Sequence, residues 1–509
     1  GIRSMIDNKK IVRNTVFLYL RMLLVMGAAL YTSRIVLQIL GAEDFGLYNV
    51  VGGLVVMFTF LNGSLGAATS RYKTFELGRN DYARVNKIFN VAVIIHILMA
   101  ILITILAETI GLWFFYEKMT IPTERLNAAF WVYQISILTC FFTLIQVPYN
   151  AMIIAKENMR IYAWVGIVEA ILKLSVVFIL PFAPIDLLVF YAILLCLIQI
   201  GITMFYKFYC EHHFEESNIK FCRDRSLYKE MFVYASSDLV GNVSVLAQGQ
   251  GLNILLNVFF GPVVNAARGI AYQVQGAVSQ FSNNFMTAVK PQIIKSYAEG
   301  DSEGMMRLVK YSSCFSFYLM WVICLPIILE AVYLLSLWLG KYPEHSDSFL
   351  RLVLILCLIQ TLKTPRSTAF HATGHIKRVN IIVGGILCCA FPLGYLFLKA
   401  GYSPESVFIA AIITMVISEF VSVVILKRYI KYSPSKYLLE RCLLVAIISG
   451  VLPYVLFDRY FEASFQRLII TCILSTISIF ITVWIIGLDR NMRKGIYKMI
   501  MNKVRHLHK

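Results

Sequence analysis

Apolar runs of about twenty residues, the length needed to cross a bilayer, recur along this entire sequence, each closed by a charged or Gly/Pro-containing break. A single soluble core stops growing near ~250–300 residues. A chain of 509 residues that is 59% hydrophobic and only 15% charged therefore cannot be one soluble domain. Lipid offers no hydrogen bonds to the backbone, so each spanning segment must satisfy its own, as an α-helix does. The sequence reads as an all-α, polytopic membrane protein.

About fourteen transmembrane helices are expected, at 11–40, 46–68, 89–114, 128–155, 162–181, 184–208, 231–259, 263–289, 311–338, 348–374, 379–398, 403–426, 438–457 and 468–488. The net charge of +18 admits a nucleic acid, a membrane surface or an anionic substrate as partner. Placement decides between them. Loops and ends on one face hold 33 of the cations and those on the opposite face hold seven: Lys118, Arg125, Lys341, Arg351, Lys399, Arg459 and Arg467. Positive loops stay inside, so both termini are expected on the cytoplasmic side and no nucleic-acid partner is implied.

The outer loops are short, the longest being about 13 residues near 115–127, which leaves no room for an outer catalytic domain. No G-x-x-x-x-G-K-[ST] motif occurs. The expected protein is thus a transporter without an ATPase motif, not an enzyme, driven by an ion gradient, the membrane potential or the substrate gradient. Eleven cysteines lie mostly in apolar runs, as small hydrophobes, and no disulfide is expected. Cys210, His212, His213 and Cys222 have the spacing of no standard zinc site, so neither a metal nor another cofactor is expected. The N-terminus lacks a signal-peptide pattern, and Met5 reads as a natural start.

Two halves align in the same direction at an offset near 220. Gly41 answers to Gly261, Phe75-x-x-Gly78 to Tyr297-x-x-Gly300, and Pro148 to Pro365. An even number of spans per half makes the repeat parallel. The expected organisation is a cytoplasmic tail (1–10), an N-lobe of six helices (11–222), a C-lobe of six (223–427), two added helices (428–488) and a basic tail (489–509).

At about 100° per residue, Asp238, Asn242, Gly249, Asn253 and Asn257 share a face of the seventh span. The eighth gathers Asn265, Arg268, Tyr272, Gln275 and Ser279, and the second Tyr48, Gly52, Thr59 and Asn62. Such residues either glue helices together or line a lumen. Charges are harder to absorb, since each Arg or Lys at mid-membrane costs roughly 2.5–3.5 kcal/mol. Glu169 and Lys173, four residues apart, are expected to pair with each other. Arg34, Arg268, Lys363 and Arg366 are left without a local partner, against Asp238 and Glu419 as the clearest deep acids, so the lumen is expected to be net positive. Arginine forks and lysine charges match phosphate oxygens, and the neighbouring amides suit sugars.

The segments Asn8-Lys-Lys-Ile-Val-Arg-Asn14, Tyr31-Thr-Ser-Arg34 and Gly41-Ala-Glu-Asp-Phe-Gly-Leu-Tyr-Asn-Val-Val51-Gly52-Gly53 resemble bacterial polysaccharide flippases, of O-antigen or capsule type, of the multidrug/oligosaccharidyl-lipid/polysaccharide exporter superfamily. The resemblance implies translocation of a polyprenyl-pyrophosphate-linked oligosaccharide from the inner to the outer leaflet of the cytoplasmic membrane, for surface polysaccharides such as lipopolysaccharide. The two-lobe repeat points to alternating access by rocking of the lobes. The expected substrate-binding residues are Arg34, Arg268, Lys363, Arg366, Asn62, Asn242, Asn253 and Gln275. Asp238, Glu169 and Lys173 are candidates for a coupling proton or sodium ion, and a glycan polymerase is a candidate partner. The rival reading is an ion-coupled multidrug extruder of the same superfamily, whose lumen should carry net acid.

Overall fold

A computed structural model describes residues 2–57, 69, 81–156, 159–220, 224–298, 300–373, 376–429, 435–460, 462–489 and 493, with some side chains in these ranges left undescribed. The described residues form helices and no strand. Eleven of these helices are long and apolar enough to span a membrane. Three expected spans are not counted separately. Residues 46–57 continue the first helix, while 58–68 lie outside the described residues. The span at 263–289 lies in the helix Pro262–Ala298, whose Asn, Gln, Ser and Arg residues make it polar, and 438–457 lies in Ser435–Tyr460.

The chain forms two compact units, one of residues 1–273, 341–346 and 380–414, the other of 274–340, 347–379 and 415–509. In the first unit the helical stretch Ile2–Met57 (α1) bends at Gly41, where φ is 81° and ψ 168°. Gly261, 220 residues later, takes nearly the same conformation, with φ 85° and ψ −177°. Backbone of this kind is open almost only to glycine. The two positions paired by the repeat thus make the same sharp turn, each ahead of a further helical segment.

Those two helices touch through small residues. A side chain on Gly46 would fall 1.8 Å from the Pro262 carbonyl oxygen, and one on Gly269 would meet Asn49 at 3.0 Å. Contacts of this closeness replace the hydrophobic drive that lipid cannot supply. They attach the helix that begins at Pro262 to residues 46 and 49 of the first helical stretch.

Around this junction the first unit adds Tyr82–Leu106 (α2), Leu112–Glu117 (α3), Leu126–Ala155 (α4), Met159–Ile179 (α5) and Leu187–His213 (α6). Its apolar core joins Leu47, Val50, Val51 and Leu54 of α1 to Val132, Tyr133 and Ile137 of α4. Tyr133 is fully buried, and its hydroxyl donates to the Ala107 carbonyl at 2.6 Å, within the wide turn Ala107–Gly111 that joins α2 to α3. Arg225–Leu246 (α7) passes through a second wide turn, Ala247–Gly251, into Leu252–Phe260 (α8), and Pro262–Ala298 (α9) follows. Proline suits the first helical position because the N–H it lacks would be unpaired there.

The second unit takes the rest of α9 with Ser302–Leu329 (α10), Ala331–Leu339 (α11) and Ser346–Thr373 (α12). Ile376–Cys388 (α13) and Ala390–Lys399 (α14) come next in the chain, and Ser406–Tyr429 (α15), Ser435–Tyr460 (α16) and Phe465–Thr482 (α17) close it. Glu330, 2% exposed, is bound by Arg467 Nε at 2.7 Å and by the Thr471 hydroxyl at 3.1 Å, which fixes the start of α17. Pro148 and Pro365, paired by the repeat, both sit inside continuous helices.

Candidate functional site

The site is built around Arg268, which α9 presents two turns after Gly261. Arg268 is 6% exposed. Its Nη2 donates to the Gly249 carbonyl at 2.6 Å, and its guanidinium carbon stands 4.0 Å from the centre of the Tyr272 ring. Gly249 lies in the wide turn between α7 and α8, where the helical ladder is irregular and a carbonyl can take an outside donor. The buried Nε of Arg268 has no hydrogen-bond partner, and no carboxylate pairs with the group among the described residues. Held among the described residues by the Gly249 carbonyl and by Tyr272, this buried guanidinium has donors left for an anion.

Arg34 gives a second such group in the same unit. Its Nε is buried without a hydrogen-bond partner among the described residues. In the second unit Lys363 is half-buried on α12 and makes no ion pair among the described residues.

Arg366 departs from the expectation. One turn along from Lys363, it is 8% exposed and forms an ion pair with Glu419 of α15. It is therefore not a free cation, and among the described residues the unpaired set shrinks to Arg34, Arg268 and Lys363. A buried arginine without a partner carries a large desolvation penalty, which Glu419 relieves.

The polar stripes divide as well. Asn253 is 1% exposed and its amide is used between helices: Oδ1 accepts from Asn265 Nδ2 at 2.8 Å, and Nδ2 donates to Gln250 Oε1 at 3.2 Å. Asn253 was expected to contact substrate; its groups are instead taken by the packing of α8 on α9. Asn257 is likewise consumed, accepting from the Thr120 N–H at 2.9 Å and donating to its carbonyl at 3.1 Å. Gln275 donates to Ser279 Oγ at 3.0 Å, within the second unit. Glu169 and Lys173 pair at 2.6 Å as expected, with side chains 35% and 49% exposed. Asn62 lies outside the described residues, as do the side chains of Asp238 and Asn242.

Two features have no signature in the sequence. Arg125 forks onto Asp44, with Nε–Oδ1 2.8 Å and Nη2–Oδ2 2.7 Å, and also binds Asp186, with Nη1–Oδ2 2.6 Å. It ties α1 to the start of α6 over 81 and 61 residues of chain. Beside the Arg268 turn lies a cavity of about 420 Å³, walled by Tyr48, Asn49 and Gly52 of α1, Ser136 and Thr139 of α4, and Gln250 among others.

Comparison with known proteins places this geometry in a fold. The lipid II flippase MurJ, in an inward closed conformation, superposes with a TM-score of 0.69 at 14% identity, covering 92% of this chain and 98% of that one. A multidrug resistance MATE family transporter of the MOP superfamily, inward-facing, gives 0.66 at 13% identity over 78% and 92%. A MOP superfamily transporter from Pyrococcus furiosus, described as having a binding pocket of reverse polarity, gives 0.54 at 14% identity over 78% and 93%. No curated protein sequence matches the chain. The profile of the polysaccharide biosynthesis proteins matches residues 11–296. With more than half of its length so matched and the fold of a MOP-superfamily transporter, the chain belongs to the polysaccharide biosynthesis protein family.

Proposed function

We propose that this protein is a flippase that moves a polyprenyl-pyrophosphate-linked oligosaccharide from the inner to the outer leaflet of the bacterial cytoplasmic membrane, by alternating access, for a surface glycan. The observation that carries the reading is Arg268: a buried guanidinium with an unbonded Nε and no carboxylate partner among the described residues. A pyrophosphate is the group such a fork binds best. A multidrug extruder for cations would place an acid there. Family membership and the likeness to MurJ, which is described as a lipid II flippase, support the same reading.

Arg34 and Lys363 are the further candidates for phosphate contact, with Arg366 held in reserve by Glu419. The coupling proton or sodium ion falls to Asp238, because Glu169 is tied to Lys173. Both termini lie on the basic, cytoplasmic face in this reading. A membrane glycan polymerase is the partner that would consume the product on the outer leaflet. The test is deletion of the gene followed by measurement of lipid-linked oligosaccharide on each leaflet. Accumulation on the inner leaflet supports the proposal, whereas a change confined to drug susceptibility favours the extruder.

A further inference from the structure

The cavity of about 420 Å³ in the first unit differs in chemistry from the arginine beside it. None of its described lining residues is charged. It falls within the ~300–1,000 Å³ range of small-molecule sites, and its polar groups are left in a particular state by the surrounding hydrogen bonds.

Gln250 Oε1 accepts from Asn253 Nδ2 at 3.2 Å, which leaves the Gln250 NH₂ group as the end without a protein partner among the described residues. Gly53 makes room for this amide pair, since a side chain there would meet Gln250 Oε1 at 2.3 Å. Asn49 Nδ2 donates to the Phe45 carbonyl at 2.8 Å, and its Oδ1 remains as an acceptor. The hydroxyls of Thr139 and Thr143 donate back into their own helix, to Ile135 O at 2.8 Å and Thr139 O at 2.9 Å, so each keeps only its lone pairs for a ligand. Ser136 and Tyr48 add hydroxyls that can act either way. The Tyr48 ring stands edge-on to Tyr191, with centres 5.0 Å apart, which fixes an aromatic face on the wall.

We infer that this cavity is a subsite for a neutral sugar residue of the lipid-linked oligosaccharide, separate from the cationic groups that hold the pyrophosphate. Fixed acceptors, a fixed amide donor and an aromatic wall without charge match a ring of hydroxyls and an apolar C–H face. A phosphate would need a cation in the wall, a cationic drug would need an acid, and a polyprenyl tail would leave these polar groups unpaired at a cost. The inference rests on the flippase reading for the source of the sugar but not for the binding itself.

Gly52 provides the test, because a side chain at that position meets nothing within 4 Å among the described residues and would grow into the cavity that Gly52 lines. The full-length protein in lipid nanodiscs is examined by saturation-transfer NMR against methyl glycosides of neutral hexoses and N-acetylhexosamines, with inorganic pyrophosphate titrated in parallel. At least one glycoside binds the native protein, Gly52→Leu weakens it by about tenfold or more, and Ser136→Ala weakens it by about fivefold, the worth of one hydrogen bond. Pyrophosphate binding is unchanged in both variants and falls in Arg268→Ala.

Absence of glycoside binding to the native protein, or binding that survives Gly52→Leu, overturns the subsite. Glycoside binding that Gly52→Leu removes, in a protein that does not bind pyrophosphate, upholds the subsite and counts against the pyrophosphate reading instead. Cys140 lines the same cavity, so the bound glycoside also slows its alkylation in the native protein. Unslowed alkylation at saturating glycoside overturns the inference even where Gly52→Leu fails to fold.

Discussion

Arg268 and Tyr272, one turn apart on α9, are stacked with the guanidinium carbon 4.0 Å from the ring centre. The ring lowers the cost of burying the cation without neutralising it. A carboxylate would hold the arginine more tightly but would also cancel the charge that an anion must find. The pairing therefore keeps the guanidinium oriented and available.

Substitution separates charge from geometry at this position. Arg268→Ala should abolish surface glycan, while Arg268→Lys, which keeps the charge but loses the planar fork, should retain a fraction reduced by about 10- to 100-fold, the worth of a hydrogen bond to a charged group. Both proteins should reach the membrane folded, because the native group has no carboxylate to orphan among the described residues. The measurements are surface glycan and thermal unfolding in detergent.

The Arg366–Glu419 pair behaves in the opposite way. Removing one member strands a buried charge, so Arg366→Ala and Glu419→Ala should each lower stability by about 3–5 kcal/mol. The double variant should recover much of that loss, giving a strong coupling in a double-mutant cycle. Independent, additive losses would show that the two side chains do not hold each other.

Acid should loosen the α1–α6 tie. The hydrogen bond from Arg125 holds the Asp186 carboxyl below the usual carboxylate range, and the Leu188 and Val189 N–H groups that it caps act in the same direction. A carboxyl lowered on folding stabilises the folded state above its unfolded value, near ~4, and that stability is lost as pH falls through the lowered value. The unfolding temperature of the native protein should therefore drop below about pH 4 more steeply than that of Asp186→Asn. Parallel curves would remove Asp186 from the account.

Gly46 tests the packing of the two turn-led helices. Alanine there would drive a methyl group into the Pro262 carbonyl, so Gly46→Ala should cost about 1–3 kcal/mol as an overpacked contact. Gly52→Ala, six residues on and facing open space, should be neutral or slightly stabilising because alanine favours the helix. Equal losses at the two sites would contradict the close approach at Gly46.

The helical membrane fold was legible because an apolar run long enough to cross a bilayer has few other outcomes. Gly41 and Gly261 were legible as a repeat pair, and their shared backbone conformation shows what the repeat preserves. The i,i+4 pair Glu169–Lys173 was legible because its partners are neighbours on one helix. Arg366–Glu419 and the Arg125 fork were not, because their partners are brought together by the fold and no spacing encodes them. Helical periodicity identified the face carrying Asn253 but could not say whether that face meets a lumen or another helix. The same face serves both purposes: Asn253 and Asn257 are spent on packing, while Gln250, on the turn between α7 and α8, reaches the cavity.

The central claim is that this chain moves a polyprenyl-pyrophosphate-linked oligosaccharide across the bilayer and that Arg268 serves that movement. The most direct measurement reconstitutes the full chain in vesicles carrying such a lipid on the inner leaflet and follows its appearance to an external lectin. The account predicts lectin-accessible glycan with the native protein and a near loss of it with Arg268→Ala at equal incorporation. Native protein that exposes no more glycan than empty vesicles, or an Arg268→Ala protein that matches the native rate, would contradict it.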